Sequence, residues 1–76
     1  MMRIEIFTGP GCSYCEAAKA LLDARGLAYE AHDMTDPDVR ADYAARLPRE
    51  KSIPQIFIDG VHIGGAEDLR DHFNRG

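Results

Sequence analysis

The chain contains no tryptophan, only two cysteines among its 76 residues, and no long apolar segment. No apolar run approaches the roughly 20 residues that a membrane-spanning helix requires. The N-terminal segment MMRIEIF also lacks the apolar stretch of a secretory signal. The sequence therefore predicts a cytoplasmic protein that has no membrane partner.

Positive charge is scarce as well. Nine Lys and Arg residues stand against thirteen Asp and Glu residues, which gives a formal net charge of -4. Because nucleic-acid binding requires a basic surface, this balance argues against a nucleic-acid partner. The length, with 45% hydrophobic residues, predicts one small domain over residues 1–76 with a modest core.

The spacing of apolar residues predicts seven elements in the order βαβαββα. Gly26 is typical of a helix stop, Asp36 and Pro37 of a helix start, and Asp59-Gly60 of a hairpin turn. A strand–helix–strand unit favours parallel strands, and the hairpin adds antiparallel ones. We therefore expect an α/β fold with a four-stranded mixed sheet and helices on both faces. The predicted strands are 3–7, 27–34, 53–58 and 61–63, and the predicted helices are 15–25, 35–47 and 66–73.

Both cysteines lie in the segment TGPGCSYC, at positions 12 and 15, just before the first helix. A structural disulfide between them would close only a four-residue loop, and a reducing cytosol would keep it mostly open. A zinc site needs four ligands, whereas His32, His62 and His72 are scattered along the chain. These arguments leave the structural disulfide and the zinc site as weaker alternatives and favour thiol–disulfide exchange.

The position of the pair predicts a division of labour. At the start of a helix, Cys12 faces unpaired amides, which we expect to be those of Tyr14 and Cys15, and the positive end of the dipole. A dipole effect of up to about 2 kcal/mol lowers the pKa of a thiol from about 8.5 by roughly one and a half units. Cys15 lies one turn inside, on the face of Ala18 and Leu22. We therefore expect Cys12 to attack and Cys15 to resolve.

Three segments of the chain resemble the glutaredoxins, which have a thioredoxin-like fold. CSYC is similar to their CPYC, SIPQIFIDG to their TVPQVFING, and HIGGAEDL to their HIGGCDDL. The resemblance covers almost the whole chain in the right order and spacing. It implies a glutathione-dependent thiol–disulfide oxidoreductase that reduces protein disulfides and glutathione mixed disulfides. Its partners would be glutathione and the client proteins, and we expect it to act as a monomer.

The resemblance also implies a glutathione site. Pro54 would be cis, and the backbone of Ile53 would pair with the cysteinyl part of the tripeptide. Free amides at the start of the last helix suit the γ-glutamyl carboxylate, and Lys51, with Arg49 and Arg46 behind it, would meet the glycine carboxylate. The alternatives are an edge-strand proline, simple helix capping and a solvated basic face. The complete predicted set is Tyr14, Lys51, Ile53, Pro54, Gly65, Ala66, Glu67 and Asp68.

Three positions depart from the family pattern: Gly9 replaces a frequent lysine, Ser13 the usual proline, and Ala66 a common cysteine. Some glutaredoxins with serine at this position hold a [2Fe–2S] cluster between two subunits, each of which supplies its first cysteine and one glutathione. A cluster carrier or sensor that uses Cys12 in this way is the alternative function. Otherwise we expect no metal site.

Overall fold

A computed structural model describes residues 2–75 of the protein. This part of the chain forms four strands and three helices in the predicted order. The sheet has the order β2-β1-β3-β4, in which β1 is parallel to β2 and antiparallel to β3, and β3 is antiparallel to β4. The predicted four-stranded mixed sheet is confirmed. The elements are β1 (Ile4–Thr8), α1 (Ser13–Ala24), β2 (Glu30–Asp33), α2 (Pro37–Arg46), β3 (Gln55–Ile58), β4 (Val61–Gly64) and α3 (Ala66–Asn74).

Two strands begin at least two residues later than predicted, and the other strand boundaries differ from the prediction by at most one residue. β2 begins at Glu30 instead of residue 27, because Leu27 still belongs to the end of α1: its N–H donates to the carbonyl oxygen of Leu22 at 3.0 Å. Gly26 has a φ of 67°, as the predicted helix stop requires. β3 begins at Gln55 instead of residue 53, since the preceding Pro54 has no N–H to donate to a strand.

The helices cover both faces of the sheet, as predicted. α1 and α3 pack on one face, and α2 packs on the other. Because β1 is central and side chains alternate along a strand, Ile4 and Ile6 enter the first layer while Phe7 enters the second. The first layer consists of Ile4, Ile6, Ala18, Leu22, Ile56, Ile58 and Leu69. The second consists of Phe7, Tyr43, Leu47 and Phe57. None of the helices within residues 2–75 is long and apolar enough to cross a bilayer.

A buried carboxylate joins α2 to the sheet. Glu5 in β1 is only 1% exposed, and its carboxylate accepts hydrogen bonds from Arg46 at 2.8 Å and contacts the His32 ring at 3.1 Å. The hydrogen bond from Arg46, with a smaller one from His32, outweighs burial and lowers the pKa of Glu5 to about 2. The Arg46 guanidinium also pairs with Asp42 at 2.9 Å. Arg46 therefore fixes the end of α2 against the sheet.

This buried carboxylate predicts acid sensitivity. The pKa of Glu5 is about 2 in the folded protein against an ordinary value of 4.5, so its stabilisation is present above pH 4.5 and is lost as the pH falls towards 2. At 1.36 kcal/mol per pKa unit, the full loss is about 3 kcal/mol. Urea unfolding at pH 5, 4 and 3 should show about 2 kcal/mol of this loss in the wild type and a shallower slope in Glu5→Gln. The exposed Glu50→Gln variant is the control, and equal slopes for wild type and Glu5→Gln would contradict the assignment.

Candidate functional site

The cysteine pair occupies the start of α1. Cys12 is the N-cap residue, and its Sγ accepts a hydrogen bond from the N–H of Cys15 at 3.1 Å. A sulfur here takes the place of the oxygen that usually caps a helix. Among residues 2–75, Cys15 supplies one of the two predicted amide donors, and the Tyr14 amide makes no such bond. The helix start therefore stabilises negative charge on Cys12 through one main-chain donor and the helix dipole.

Cys12 and Cys15 form a disulfide, with their Cα atoms 5.2 Å apart. Cys12 is partly exposed, whereas Cys15 is 0% exposed beneath the first turn of the helix. This asymmetry agrees with the expected division of labour, because an attacking sulfur must be reachable and a resolving sulfur need only reach its neighbour. The pair can cycle between a disulfide and a dithiol.

The loop before β3 lies directly opposite Cys12. The Ile53–Pro54 peptide bond is cis, as the resemblance implied, and the carbonyl oxygen of Ile53 lies 3.9 Å from the Sγ atom of Cys12. β3 runs antiparallel to β1, with Gln55 opposite Phe7. The loop before β3 therefore lies at the same end of the sheet as the C-terminus of β1 and the start of α1. The N–H of Ile53 has no acceptor within the described residues and remains available to a ligand.

Sequence reasoning did not single out the anchor of this loop. The hydroxyl of Tyr43, on α2, donates to the carbonyl oxygen of Ser52 at 2.6 Å, and the Gln55 side chain donates to the same oxygen at 3.3 Å. Nothing in the sequence near Tyr43 indicates that its hydroxyl reaches a loop nine residues further along the chain. The α2 side of the sheet thus helps to position the backbone that faces Cys12.

A cleft of about 320 Å³ connects Tyr14, the loop before β3 and the start of α3. Seven of the eight predicted glutathione-site residues line it, together with Ser52, while Lys51 is exposed in the loop just before Ser52 and does not line it. Tyr14 is 65% exposed at the rim of the cleft. The predicted seven are Tyr14, Ile53, Pro54, Gly65, Ala66, Glu67 and Asp68.

The start of α3 is compatible with both alternatives drawn from its sequence, helix capping and the binding of an anion. The Asp68 carboxylate caps the helix by accepting the N–H of Gly65 at 2.9 Å. The amides of Ala66 and Glu67 belong to the first turn, where helix geometry provides no acceptor, and both residues line the cleft. Capping therefore uses the Gly65 amide and leaves the amides of Ala66 and Glu67 available to bind an anion. The Asp68 carboxylate lies close by and could pair with a cation.

One predicted cation is engaged elsewhere. Arg46 donates to Glu5 and Asp42 on the face covered by α2, and its guanidinium lies over the Phe7 and Phe57 rings at 5.5 Å and 5.0 Å. It is therefore not a free partner for a ligand carboxylate. Lys51 and Arg49 are both exposed and remain candidates for this role, and Lys51 adjoins Ser52 of the cleft lining.

The two glycines before α3 predict a sharp contrast. Gly64 has a φ of 122°, and an added Cβ atom would overlap the Asp68 side chain, whereas Gly65 has a normal φ of -87° and room for a Cβ atom. We expect Gly64→Ala to lower the free energy of unfolding by about 1–3 kcal/mol and Gly65→Ala to lower it by less than about 1 kcal/mol. Urea unfolding of the two variants measures both values. Equal losses would show that the backbone at residue 64 is not the constraint.

Together these features define a class of protein. A cysteine pair at the start of a helix faces a cis-proline just before β3, a central strand of the β2-β1-β3-β4 sheet. This is the arrangement of a dithiol protein with a thioredoxin-like fold. The glutaredoxin family model matches residues 4–63. The chain belongs to the glutaredoxin family, whose chemistry is thiol–disulfide exchange.

Individual relatives agree with this assignment. Glutaredoxin 1 of Rickettsia bellii is 48% identical over 73 residues, which cover 90% of this chain and 74% of that protein. A hybrid peroxiredoxin, hyPrx5, of Haemophilus influenzae is 45% identical over 74 residues, and the match spans 92% of this chain but only 29% of that longer protein. The crystal structure of a buckwheat glutaredoxin–glutathione complex superposes with a TM-score of 0.85 at 30% identity, over 96% of this chain and 69% of that one.

The structure gives the cluster alternative no support. Within residues 2–75, no three His, Cys, Asp or Glu side chains form a group that could hold a metal ion. A bridging [2Fe–2S] cluster needs four thiolates, and of the two cysteines here only Cys12 is accessible. All but one of its ligands would have to come from outside this chain.

Proposed function

We propose that this protein is a glutathione-dependent oxidoreductase that reduces glutathione mixed disulfides and protein disulfides. The observation that carries the proposal is the cleft beside Cys12, because its lining offers a matching group for most parts of the tripeptide. The backbone of Ile53 pairs with the cysteinyl residue as an added strand would. The amides of Ala66 and Glu67 receive the γ-glutamyl carboxylate, and Asp68 receives the adjacent ammonium.

Two further residues complete the binding model. Tyr14, at the exposed rim of the cleft, flanks the sulfur of the bound glutathione. Lys51 meets the glycine carboxylate from outside the lining, as a solvent-exposed charge whose contribution is small and falls with added salt. Recognition therefore depends mainly on main-chain groups, which the cis-proline loop and the start of α3 hold in place.

The first reaction uses Cys12 alone. Its thiolate attacks the glutathionyl sulfur of a client mixed disulfide, the client thiolate leaves, and glutathione becomes bonded to Cys12. The thiolate of a second glutathione attacks the same glutathionyl sulfur. Glutathione disulfide forms, and Cys12 leaves as the thiolate. The helix dipole and the Cys15 amide stabilise Cys12 each time it carries the negative charge.

The second reaction requires both cysteines. The Cys15 thiolate attacks the Cys12 sulfur of the mixed disulfide, glutathione leaves, and the internal disulfide forms. In the opposite direction, two glutathione molecules reduce this disulfide in turn and leave as glutathione disulfide. The reduced pair then attacks a protein disulfide, releases the client as a dithiol and is itself oxidised to the internal disulfide. The first route consumes one free glutathione and the second consumes two, and both require the reducing glutathione pool of the predicted cytoplasmic location.

A deglutathionylation assay tests this proposal. We expect wild type and Cys15→Ser to reduce a glutathionylated peptide with glutathione, Cys15→Ser retaining most of the activity because the first route does not need Cys15. With 2-mercaptoethanol at the same thiolate concentration, both proteins should be at least about tenfold slower, since this thiol cannot use the binding groups of the cleft. Equal rates with the two thiols would refute glutathione dependence. Loss of activity in Cys15→Ser would refute the one-cysteine route.

A further inference from the structure

A buried hydroxyl group lacks a partner near the redox pair. Thr8, the last residue of β1, is 5% exposed, and its Oγ1 atom is buried without a hydrogen-bond partner among residues 2–75. Buried polar groups are almost always hydrogen-bonded, so an exception indicates a strained or functional position. A valine of nearly the same shape would avoid the cost of burying this group.

Thr8 lies on the face of the sheet that α1 covers. Side chains alternate along a strand, so Thr8 is on the same face of the sheet as Ile4 and Ile6. Those two isoleucines pack with Ala18 and Leu22 of α1 in one apolar cluster. Thr8 continues this row by one step towards the end of β1, where the chain turns into the helix.

Cys15 continues the matching row on the helix. It precedes Ala18 by three residues and Leu22 by seven, so it is on the same helix face, one turn nearer the start. Thr8 also shares with Cys12 the wall of a second cleft, of about 440 Å³, at the start of α1. Thr8 therefore ends the strand row that leads to the first turn of α1, where the two sulfurs are bonded to each other.

We propose that Thr8 donates a hydrogen bond to the Cys15 sulfur once the disulfide is reduced. In the disulfide both sulfurs are joined, and Cys12 Sγ already accepts the Cys15 amide. Reduction separates the sulfurs and leaves Cys15 buried, with no water to solvate it. Thr8 is then a positioning residue that stabilises the reduced pair and the Cys15 thiolate that closes the disulfide.

The inference depends on the reversible Cys12–Cys15 disulfide of the proposed function but not on glutathione as the reductant. Reduction transfers two electrons to the S–S bond from two external thiols, which are themselves joined in a disulfide. Those thiols release two protons, of which Cys15 keeps one as a thiol, while Cys12 remains a thiolate and the other proton enters solvent. A hydrogen bond present only in the reduced state shifts this equilibrium towards the dithiol.

The matched variants are Thr8→Val, which removes the hydroxyl and keeps the branched shape, and Thr8→Ser, which keeps the hydroxyl. We expect Thr8→Val to favour the disulfide about tenfold more than wild type does, which corresponds to a potential about 30 mV more negative. Thr8→Ser should stay within about twofold of wild type. Equilibration with reduced and oxidised dithiothreitol measures all three without involving glutathione.

Unfolding in the two redox states separates this role from a merely structural one. We expect Thr8→Val to destabilise the reduced protein relative to the oxidised protein by the same factor that appears in the redox equilibrium. Equal changes in both states with an unaltered potential would overturn the proposal and assign the hydroxyl to packing or to a buried water. If Thr8→Val does not fold, Thr8→Ala replaces it under the same criteria. A wild-type protein that forms no Cys12–Cys15 disulfide in this buffer would refute the proposed function itself.

Discussion

Cys12→Ser is expected to lower both deglutathionylation and protein-disulfide reduction by at least about a thousandfold. A serine hydroxyl is not ionised near neutral pH and cannot form the S–S bond through which both routes pass. The substitution should leave the fold intact, because serine is among the best N-cap residues and its oxygen can accept the Cys15 amide that Cys12 Sγ accepts now. Steady-state rates with a glutathionylated peptide, and with a protein disulfide, measure the effect.

Cys15→Ser is the matched control, since it also removes one sulfur and the internal disulfide. We expect it to lose protein-disulfide reduction while retaining deglutathionylation. The two variants should therefore differ in deglutathionylation alone, because Cys12 is accessible and Cys15 is buried. Circular dichroism and thermal melts under reducing conditions check that both variants fold. Substantial deglutathionylation by Cys12→Ser, together with none by Cys15→Ser, would exchange the two roles.

Arg46→Met is expected to lower the free energy of unfolding by about 3 kcal/mol at pH 7, because it removes the main partner of a buried carboxylate. Glu5 is almost completely buried, and Arg46 supplies two of its hydrogen bonds. Methionine preserves most of the stem that packs near Phe7 and Phe57, so the loss reports mainly the charge. Urea unfolding at pH 7 measures the difference.

Two companion variants make this prediction specific. Arg70→Met removes an exposed arginine from α3 and should change stability by less than about 0.5 kcal/mol. The double variant Arg46→Met with Glu5→Leu removes both charges and should recover most of the loss. A loss of less than about 1 kcal/mol in Arg46→Met, or no recovery in the double variant, would contradict the pairing.

The ion pair also has a functional consequence. Arg46 ends the helix that carries Tyr43, and the Tyr43 hydroxyl anchors the Ser52 carbonyl just before the cis-proline loop. A loosened α2 would therefore release the loop that faces Cys12. The side of the sheet remote from the cysteines contributes to the geometry of the site through this one hydrogen bond.

Local patterns were sufficient for much of the fold. The Asp36 side chain caps α2 as expected, accepting the Asp38 amide at 2.9 Å. Asp59 and Gly60 both have positive φ values, of 50° and 80°, as the predicted hairpin turn requires. These features depend on residues only a few positions apart, which explains why the residue types alone predicted them. The starts of β2 and β3 did not follow, because the hydrogen bond from Leu27 closes the end of α1 and Pro54 cannot donate to a strand.

The motifs also predicted most of the residues that line the cleft beside Cys12. Seven residues from three separated segments line one cleft, although nothing local in the chain brings them together. The resemblance to a family supplied that long-range information. It did not reveal that Arg46 is paired with a buried glutamate or that Thr8 has an unpartnered hydroxyl, since both depend on which face of a central strand is covered.

By itself, the amino-acid sequence determined the order of the elements, the capped helix that begins at the cysteine pair, and the turns that join the strands. Each of these depends on backbone preferences and hydrogen bonds within a few residues. Only the tertiary structure decided that Cys15 is buried while Cys12 is accessible, that Ile53 faces the Cys12 sulfur, and that α2 supports the loop between them. Burial and contact across a sheet are properties of packed layers, and no short stretch of chain contains them.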